Sequence, residues 1–414
     1  MTGICACPSS IGNVLMNADN TDITSNSESQ TSGNDPIVII GTGLAGYTLA
    51  KELRKTDKDV PILMLTADDG HSYSKPMLST GFTKNKTAEQ LSMADPGRMV
   101  EQLAVDVRTF TTVTGIDAEK QCVLVGDEAI TYSKLVLAWG ADVIQLNIAG
   151  TAQESVYAVN DLLDYRRFRE AVEGKQRILI MGAGLIGCEF ANDLINGGFK
   201  VDIVAPCDGV LPGLVPDQAA AAVQDGLTEA GTTFHLGQVV ESIDKVEDGV
   251  CCTLDNGTQV VVDAVLSAVG LRPRVQLAKD AGLTVAKGIV VNRLLETSAP
   301  NVYAMGDCAE VDGHVMLYVL PLMECARSLA KTLTGTPKEV TYGVMPVVIK
   351  TPCCPVAVLP PPVGAEGEWS VSGEGRDLKA LFTDESGLVK GFALTGALVS
   401  ERQALAKAVP PIHR

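Results

Sequence analysis

The sequence predicts an α/β protein with two Rossmann-like units and a small α+β domain at the carboxyl end. Two stretches support this fold class, residues 37–53 and 177–205, in each of which an apolar run leads through a G-x-G-x-x-G turn into a helical repeat. Aromatic residues make up only 4% of the chain, whereas small aliphatic residues are abundant. Such side chains fill the layers between a parallel sheet and its helices, so the composition favours parallel α/β architecture.

The first unit changes from a strand pattern to a helix pattern across three glycines. Residues 37–40 are branched and apolar, which suits a strand buried on both faces, and apolar residues then recur at helical spacing. Gly41 makes the tight turn, Gly43 lets the backbone approach a pyrophosphate, and Gly46 lets helix and strand pack closely. Because both a strand and a helix flank the glycines, this unit predicts a dinucleotide site.

A second buried strand over residues 60–66 ends about 20 residues beyond the last glycine, where an acidic side chain meets the ribose in dinucleotide folds. Asp68 or Asp69 is a candidate for that contact. An ordinary β-turn at Asp-Asp-Gly explains the same two residues equally well. Residues 71–82 then form a loop that enters a short helix near Pro76, and residues 105–113 resemble a strand.

The second unit repeats the pattern with Gly182, Gly184 and Gly187 between a strand and a helix. Two complete units predict two bound dinucleotides, or one dinucleotide bound twice. A 2′-phosphate needs a cation just past the second strand, yet residues 201–244 contain no Lys or Arg. Asp208 lies near the expected ribose position instead, so this unit favours NADH over NADPH, although Ala205 stands where a clear acidic residue would be expected.

The remaining segments complete three predicted domains. Residues 236–262 alternate like a β-meander, residues 301–309 run from a strand into Gly-Asp, and residues 320–333 form an amphipathic helix. Beyond Gly335, prolines interrupt short strands. We predict a disordered extension at 1–35, a discontinuous first domain at 36–150 and 267–335, a second domain at 151–266, and a C-terminal domain at 336–414.

Charge and cysteine spacing exclude several classes of protein. The net charge of −17 without any basic run argues against nucleic-acid binding. No apolar stretch has membrane-spanning length and no export signal is evident, so we expect a cytoplasmic protein without a membrane anchor. The eleven cysteines never form CxxC, and their spacing fits neither zinc nor an iron–sulfur cluster, so we predict no metal site.

Several motifs in their order resemble one known superfamily. GTGLAG, SYSKPMLSTGF, GAGLIGCEF, SAVGLRPR and YAMGDCAE are similar to the two-dinucleotide flavoprotein reductases of the glutathione-reductase superfamily, and within it to the bacterial rubredoxin–NAD⁺ reductases. The resemblance runs from about residue 35 to the C-terminus and is looser in the last 70 or so residues. It implies FAD in the first domain, NAD(H) in the second, and rubredoxin as the electron acceptor, with alkane hydroxylation as the pathway.

The resemblance also implies individual roles. It assigns the FAD pyrophosphate to Gly41, Gly43, Leu44, Ala45 and Gly46, the adenosine to Thr66 and Ala67, the adenine side to Val113, the ribityl chain to Asp307, and the isoalloxazine to Val319, with Lys350 approaching from the C-terminal segment. Lys75 is implied as a flavin-side lysine paired with Glu189, and we take this pair as catalytic. An ammonium there stabilises the negative charge that hydride transfer leaves on the flavin, and a carboxylate fixes the ammonium.

One departure narrows the chemistry. Disulfide reductases of the superfamily carry a redox cysteine near the position of Lys75, but no cysteine lies between Cys7 and Cys122, so we exclude a thiol relay. We hypothesise that NADH passes a hydride to the flavin, which releases electrons singly to rubredoxin, and we expect a monomer. The alternatives are a reductase serving a [2Fe–2S] ferredoxin and a monooxygenase, or a non-catalytic regulator that binds flavin or nucleotide.

Overall fold

The computed structural model describes residues 35–412. The predicted disordered extension lies outside the described residues except for Asp35. The first ten strands are β1 (Ile37–Ile40), β2 (Ile62–Leu65), β3 (Ser72–Tyr73), β4 (Ser92–Ala94), β5 (Asp106–Arg108), β6 (Gly115–Asp117), β7 (Cys122–Val125), β8 (Glu128–Thr131), β9 (Lys134–Leu137) and β10 (Ala141–Val143).

The middle strands are β11 (Val156–Tyr157), β12 (Arg177–Met181), β13 (Lys200–Ala205), β14 (Thr232–Leu236), β15 (Val240–Val246), β16 (Gly249–Leu254), β17 (Gln259–Val262), β18 (Ala264–Ser267), β19 (Leu271–Pro273), β20 (Ile289–Val291), β21 (Val302–Ala304) and β22 (Ala309–Val311). The last strands are β23 (Val347–Ile349), β24 (Val356–Leu359), β25 (Glu368–Glu374), β26 (Asp377–Thr383) and β27 (Val389–Thr395).

The α-helices are α1 (Leu44–Thr56), α2 (Ala88–Leu91), α3 (Pro96–Leu103), α4 (Leu162–Ala171), α5 (Leu185–Asn196), α6 (Asp217–Ala230), α7 (Gln276–Asp280), α8 (Val319–Leu333) and α9 (Arg402–Ala406). Short 3₁₀ helices cover Lys75–Thr80, Gln153–Ser155, Gly306–Cys308 and Gly396–Glu401. No helix within the described range is both long and apolar enough to cross a membrane.

The first parallel sheet has the strand order β21-β9-β1-β2-β5. All residues of β1 and β2 are buried, as expected for strands covered on both faces. Helices α1 and α8 pack together on this sheet and bury Leu49, Leu53 and Leu329. Strand β21 comes from the far side of the second unit in sequence, so this sheet is built from two separate parts of the chain.

The second parallel sheet has the order β11-β18-β12-β13-β14, and the antiparallel meander β15-β16-β17 packs beside it. The chain leaves the first sheet through β10 and returns through β19, and these two strands pair antiparallel. The predicted α/β fold with two Rossmann-like units is therefore confirmed.

The C-terminal sheet is antiparallel, with the order β23-β24-β27-β26-β25. It packs against α6, where Glu229 pairs with Arg376. Gly226 of α6 is needed for this contact, because a Cβ there would lie 2.8 Å from the Cβ of Cys354. The C-terminal domain is therefore fixed against the second sheet.

The predicted strand over residues 105–113 forms only over Asp106–Arg108. Phe110 adopts a φ of +48°, and the backbone turns there. Its N–H donates to the carbonyl of Asp68, and the N–H of Thr111 donates to the carbonyl of Thr66. The chain thus bends across the end of β2, and strand β5 is shorter than predicted for this reason.

Candidate active site

The first glycine turn leaves an open cradle in front of α1. Gly41 has a φ of +111°, and a Cβ there would lie 2.5 Å from the carbonyl oxygen of Ala138. A Cβ on Gly46 would overlap the carbonyl oxygen of Gly41. A Cβ on Gly43, in contrast, would meet no protein atom within 4 Å. The space beside Gly43 and the N–H groups of the first helical turn, at Leu44 and Ala45, therefore fit a pyrophosphate.

The second turn repeats this geometry in front of α5. Gly182 has a φ of +107°, and a Cβ there would lie 2.6 Å from the carbonyl oxygen of Ala268. A Cβ on Gly187 would overlap the carbonyl oxygen of Gly182, whereas one on Gly184 would meet open space. Both cradles thus satisfy the steric requirements of a dinucleotide pyrophosphate.

The two acidic residues after β2 belong to a turn. Asp68 Oδ1 accepts hydrogen bonds from Thr66 Oγ1 at 2.7 Å, from the Gly70 N–H at 2.9 Å and from Thr42 Oγ1 at 3.2 Å. Asp69 accepts from the His71 N–H at 3.2 Å. Both carboxylates thus accept hydrogen bonds from their own segment, and a contact of either one with a ribose stays a prediction.

Ala67 follows Thr66 at the end of β2, and the backbone bond from Thr111 to Thr66 carries the segment of Val113 to the same edge. Val113 is half-buried and packs against the first core. The three residues assigned to the adenosine side are therefore close in the fold, and their contact with a nucleotide stays a proposal.

Asp307 lies beside the first cradle. It belongs to the 3₁₀ helix Gly306–Cys308, and a Cβ on Gly306 would lie 3.0 Å from the Cβ of Ala45. Val319 is the first residue of the 15-residue helix α8 and is exposed. The positive end of the α8 dipole therefore lies at Val319, and a contact of this residue with the isoalloxazine stays a proposal.

The predicted Lys75–Glu189 pair is wrong. Lys75 Nζ lies 3.5 Å from Asp307 Oδ2, and Glu189 instead forms an ion pair with Lys350 Nζ. The Lys350 N–H also donates to Glu189 Oε1 at 2.9 Å, and Ser79 Oγ donates to Glu189 Oε2 at 2.6 Å.

The reason lies in local geometry. Lys75 begins a short 3₁₀ segment whose backbone leaves helical geometry at Ser79, with φ of −89° and ψ of 24°, so the two side chains point in different directions. Ser79 faces α5 and Lys75 faces Asp307. The end of β23 presents both the backbone N–H and the ammonium of Lys350 to Glu189. The side chain of Glu189 is only 1% exposed, and such a carboxylate is stabilised by charge-assisted partners.

The two lysines and two carboxylates join three parts of the fold. Lys75 and Asp307 lie on the parts of the chain that also build the first sheet, Glu189 lies on α5 after β12 of the second sheet, and Lys350 follows β23 of the C-terminal sheet. Ser79 is a residue that the sequence did not single out as functional, and its only signal was its place in the SYSKPMLSTGF loop. The four charged residues predicted for the site thus form two ion pairs, Lys75–Asp307 and Lys350–Glu189, in place of the predicted Lys75–Glu189 pair.

The thiol of Cys308 lies next to Asp307 but is fully buried. Burial raises the pKa of Cys308 to about 12, so the thiol stays protonated at neutral pH. A protonated thiol is a poor nucleophile. Cys308 is therefore a packing residue, as predicted.

Every cysteine within residues 35–412 is free, and no cluster of His, Cys, Asp and Glu in that range could hold a metal ion.

Comparisons with known proteins place the chain in a family. Residues 35–330 match the family described as pyridine nucleotide-disulphide oxidoreductase, and residues 339–409 match a rubredoxin binding C-terminal domain. Rubredoxin-NAD(+) reductase of Alcanivorax borkumensis is 56% identical over 91% of this chain and 99% of its own length. The Acinetobacter baylyi protein of the same name is 44% identical over 91% of this chain and 98% of its own length.

Among solved structures, the ferredoxin reductase for the CYP199A2 system of Rhodopseudomonas palustris superposes with a TM-score of 0.81 at 26% identity. That alignment covers 91% of this chain and 96% of the other. The resemblance inferred from the motifs is confirmed. The chain belongs to the pyridine nucleotide-disulphide oxidoreductase family.

Proposed function

We propose that this protein is an NADH-dependent flavoprotein reductase that passes electrons one at a time from FAD to rubredoxin. The observation that carries this proposal is the C-terminal match to a rubredoxin binding domain, which directly follows the two dinucleotide units. Relatives that are 56% and 44% identical over nearly their whole lengths are named rubredoxin-NAD(+) reductases.

The protein uses FAD and NAD(H). We assign FAD to the cradle of Gly41, Gly43 and Gly46 in the domain of residues 36–150 and 267–335. We assign NADH to the cradle of Gly182, Gly184 and Gly187 in residues 151–266. When bound, FAD supplies the conversion between the two-electron chemistry of NADH and the one-electron chemistry of an iron protein.

The exposed carboxylate of Asp208 lies in the loop just beyond β13, near the expected ribose position. The loop and the following residues up to 244 contain no Lys or Arg. A 2′-phosphate would therefore meet negative rather than positive charge, which supports NADH as the reductant.

The protein's own residues contribute electrostatics and position. Lys75 and Lys350 place two ammonium groups at the meeting of three domains, and both are partly exposed, at 33% and 30%. Cations aimed at a position where negative charge develops stabilise that charge. Glu189 and Asp307 hold the two ammonium groups by ion pairs.

A [2Fe–2S] ferredoxin is the second candidate acceptor. It is favoured by the fold shared with the Rhodopseudomonas ferredoxin reductase and with putidaredoxin reductase, which superposes with a TM-score of 0.82 at 25% identity. The rubredoxin reductases are about twice as similar in sequence as these structures, so we rank rubredoxin first.

Stopped-flow reoxidation separates these functions. The NADH-reduced enzyme is mixed with a purified rubredoxin or a [2Fe–2S] ferredoxin at matched concentrations, and flavin absorbance is followed. Faster transfer to rubredoxin is expected. Faster transfer to ferredoxin would reassign the acceptor, and failure of NADH to bleach the flavin would favour a non-catalytic regulator.

Three further statements belong to the same proposal. We place the reaction in the cytoplasm, where a reducing environment keeps cysteines such as those of residues 35–412 as free thiols. We propose an alkane hydroxylase as the downstream oxygenase, on the resemblance to rubredoxin reductases. We also propose that the enzyme works as a monomer.

A further inference from the structure

Helix α5 buries three polar side chains on one face. Glu189, Asn192 and Asp193 are 1%, 2% and 2% exposed. Their spacing of three and four residues places them side by side on the helix. Burying polar groups costs free energy unless they form hydrogen bonds, so the partners of this face are informative.

One set of partners belongs to the segment that carries Lys75. The Phe82 N–H donates to Asp193 Oδ2 at 3.0 Å, and the Thr83 N–H donates to Asp193 Oδ1 at 2.8 Å. Ser79 of the same segment donates to Glu189. Asp193 therefore holds the far end of the Lys75 segment by both of its carboxylate oxygens.

The other set belongs to the segment that carries Lys350. The Cys353 N–H donates to Asn192 Oδ1 at 3.1 Å, and the backbone N–H of Lys350 donates to Glu189. Three residues of one helix thus hold backbone groups of the first and third domains. The same helix begins at the second glycine cradle, where NADH is assigned.

Apolar packing also holds the Lys75 segment. The Phe82 ring packs edge-on against Tyr165, Phe168 and Phe199, at centroid distances of 5.5 to 5.8 Å. The carboxylate of Asp193 adds two directed hydrogen bonds, which define the backbone position of the residues that follow Lys75.

We propose that Asn192 and Asp193 are positioning residues for flavin reduction. Asp193 fixes the Lys75 segment and Asn192 fixes the Lys350 segment, so both ammonium groups are held at a set distance from the nucleotide at the start of α5. This inference rests on the proposed function for its reductant and flavin. It adds two residues that contact neither dinucleotide and act through the two lysines.

The substitution Asp193→Asn tests the proposed role of Asp193 in fixing the Lys75 segment. An amide in this position cannot accept both N–H groups from its two terminal atoms, so one buried donor is left without an acceptor. We expect the rate constant for flavin reduction at saturating NADH to fall about tenfold or more, with little change in the Kd for NADH. We also expect a more negative midpoint potential of the bound flavin, because the Lys75 ammonium is less well placed.

Asp263→Asn is a control for replacing a carboxylate that binds backbone N–H groups elsewhere in the same unit. Oδ2 of Asp263 accepts from the Gln176 and Arg177 N–H groups at 2.8 Å each, in an exposed position at the opposite end of β12 from the glycine cradle. Because a single amide oxygen can accept both bonds, this variant should melt near the wild-type temperature, and its reduction rate and flavin potential should stay at the wild-type values.

Asn192→Ala tests the proposed role of Asn192 in fixing the Lys350 segment. It also tests the proposal if Asp193→Asn fails to fold. It should slow flavin reduction in the same direction by removing the acceptor of the Cys353 N–H. Wild-type rates and potentials in folded variants, with only a lower melting temperature, would overturn the inference. Reduction by NADH is measured before any acceptor is added, so failure of transfer to rubredoxin overturns the acceptor and not the positioning role.

Discussion

The two glycine turns form cradles of the same geometry, but the helices that follow them are held in different ways. In both, the first glycine lies against a carbonyl of the neighbouring segment and the second faces open space. Helix α1 is then held within its own domain, by largely apolar packing of Leu49, Ala50 and Leu53 near α8. Helix α5 is held by buried polar bonds to two other domains. The difference indicates that α1 is held within its own unit, whereas α5 also fixes segments of the other two parts of the chain.

The largest expected effect comes from breaking either cradle. Gly41→Ala places a Cβ 2.5 Å from a carbonyl oxygen at a φ of +111°, so we expect protein purified without flavin. Gly182→Ala meets a similar clash at 2.6 Å, and we expect it to retain flavin that NADH no longer reduces. The flavin content of each purified variant and anaerobic titration with NADH measure these losses.

Gly174→Ala controls for backbone strain alone. Gly174 has a φ of +71°, but a Cβ there would meet no atom within 4 Å. It should cost about 1 kcal/mol of stability and leave flavin content and reduction intact. If Gly41→Ala and Gly182→Ala lost flavin equally, the two cradles would not be separate sites.

The next effect distinguishes the two lysines. Lys350→Met leaves the buried carboxylate of Glu189 without its cation, and we expect a stability loss of about 2 kcal/mol, reduced from the value for fully buried pairs by the partial exposure of Lys350. Lys75→Met breaks a longer pair with the more exposed Asp307 and should cost less than about 1 kcal/mol. Thermal melting of both variants shows which one loses more stability. A larger loss for Lys75→Met than for Lys350→Met would support the Lys75–Glu189 pair instead.

A smaller effect concerns the choice of reductant. We expect kcat/KM for NADH to exceed that for NADPH by at least about tenfold, because Asp208 and the lack of nearby cations oppose a 2′-phosphate. Asp208→Ala should narrow this ratio. Steady-state assays with both nucleotides test it, and an unchanged ratio in the variant would remove Asp208 from the ribose site.

The smallest effect is expected at Cys308. Cys308→Ala removes a thiol that burial keeps protonated, and the rate of electron transfer should stay within about twofold of wild type. Stopped-flow reduction by NADH measures this rate. A large loss of electron transfer with flavin still bound would point to thiol chemistry beside Asp307.

Local patterns predicted the two cradles and the two parallel sheets, because strand, glycine turn and helix are adjacent in sequence. The partners of Lys75 and Glu189 could not be predicted in the same way. Which charges meet across three domains depends on the direction in which a 3₁₀ helix and the end of β23 point their side chains. Asn192 and Asp193 gave no signal either, since polar residues on a helix are usually solvated.

We propose that one NADH supplies two single electrons, which the enzyme passes to two rubredoxin molecules. The most direct measurement is the anaerobic stoichiometry of rubredoxin reduction by limiting NADH with catalytic amounts of the full chain. We predict two rubredoxins reduced for each NADH consumed. Oxidation of NADH with rubredoxin left in its oxidised form would show that rubredoxin is not the electron acceptor.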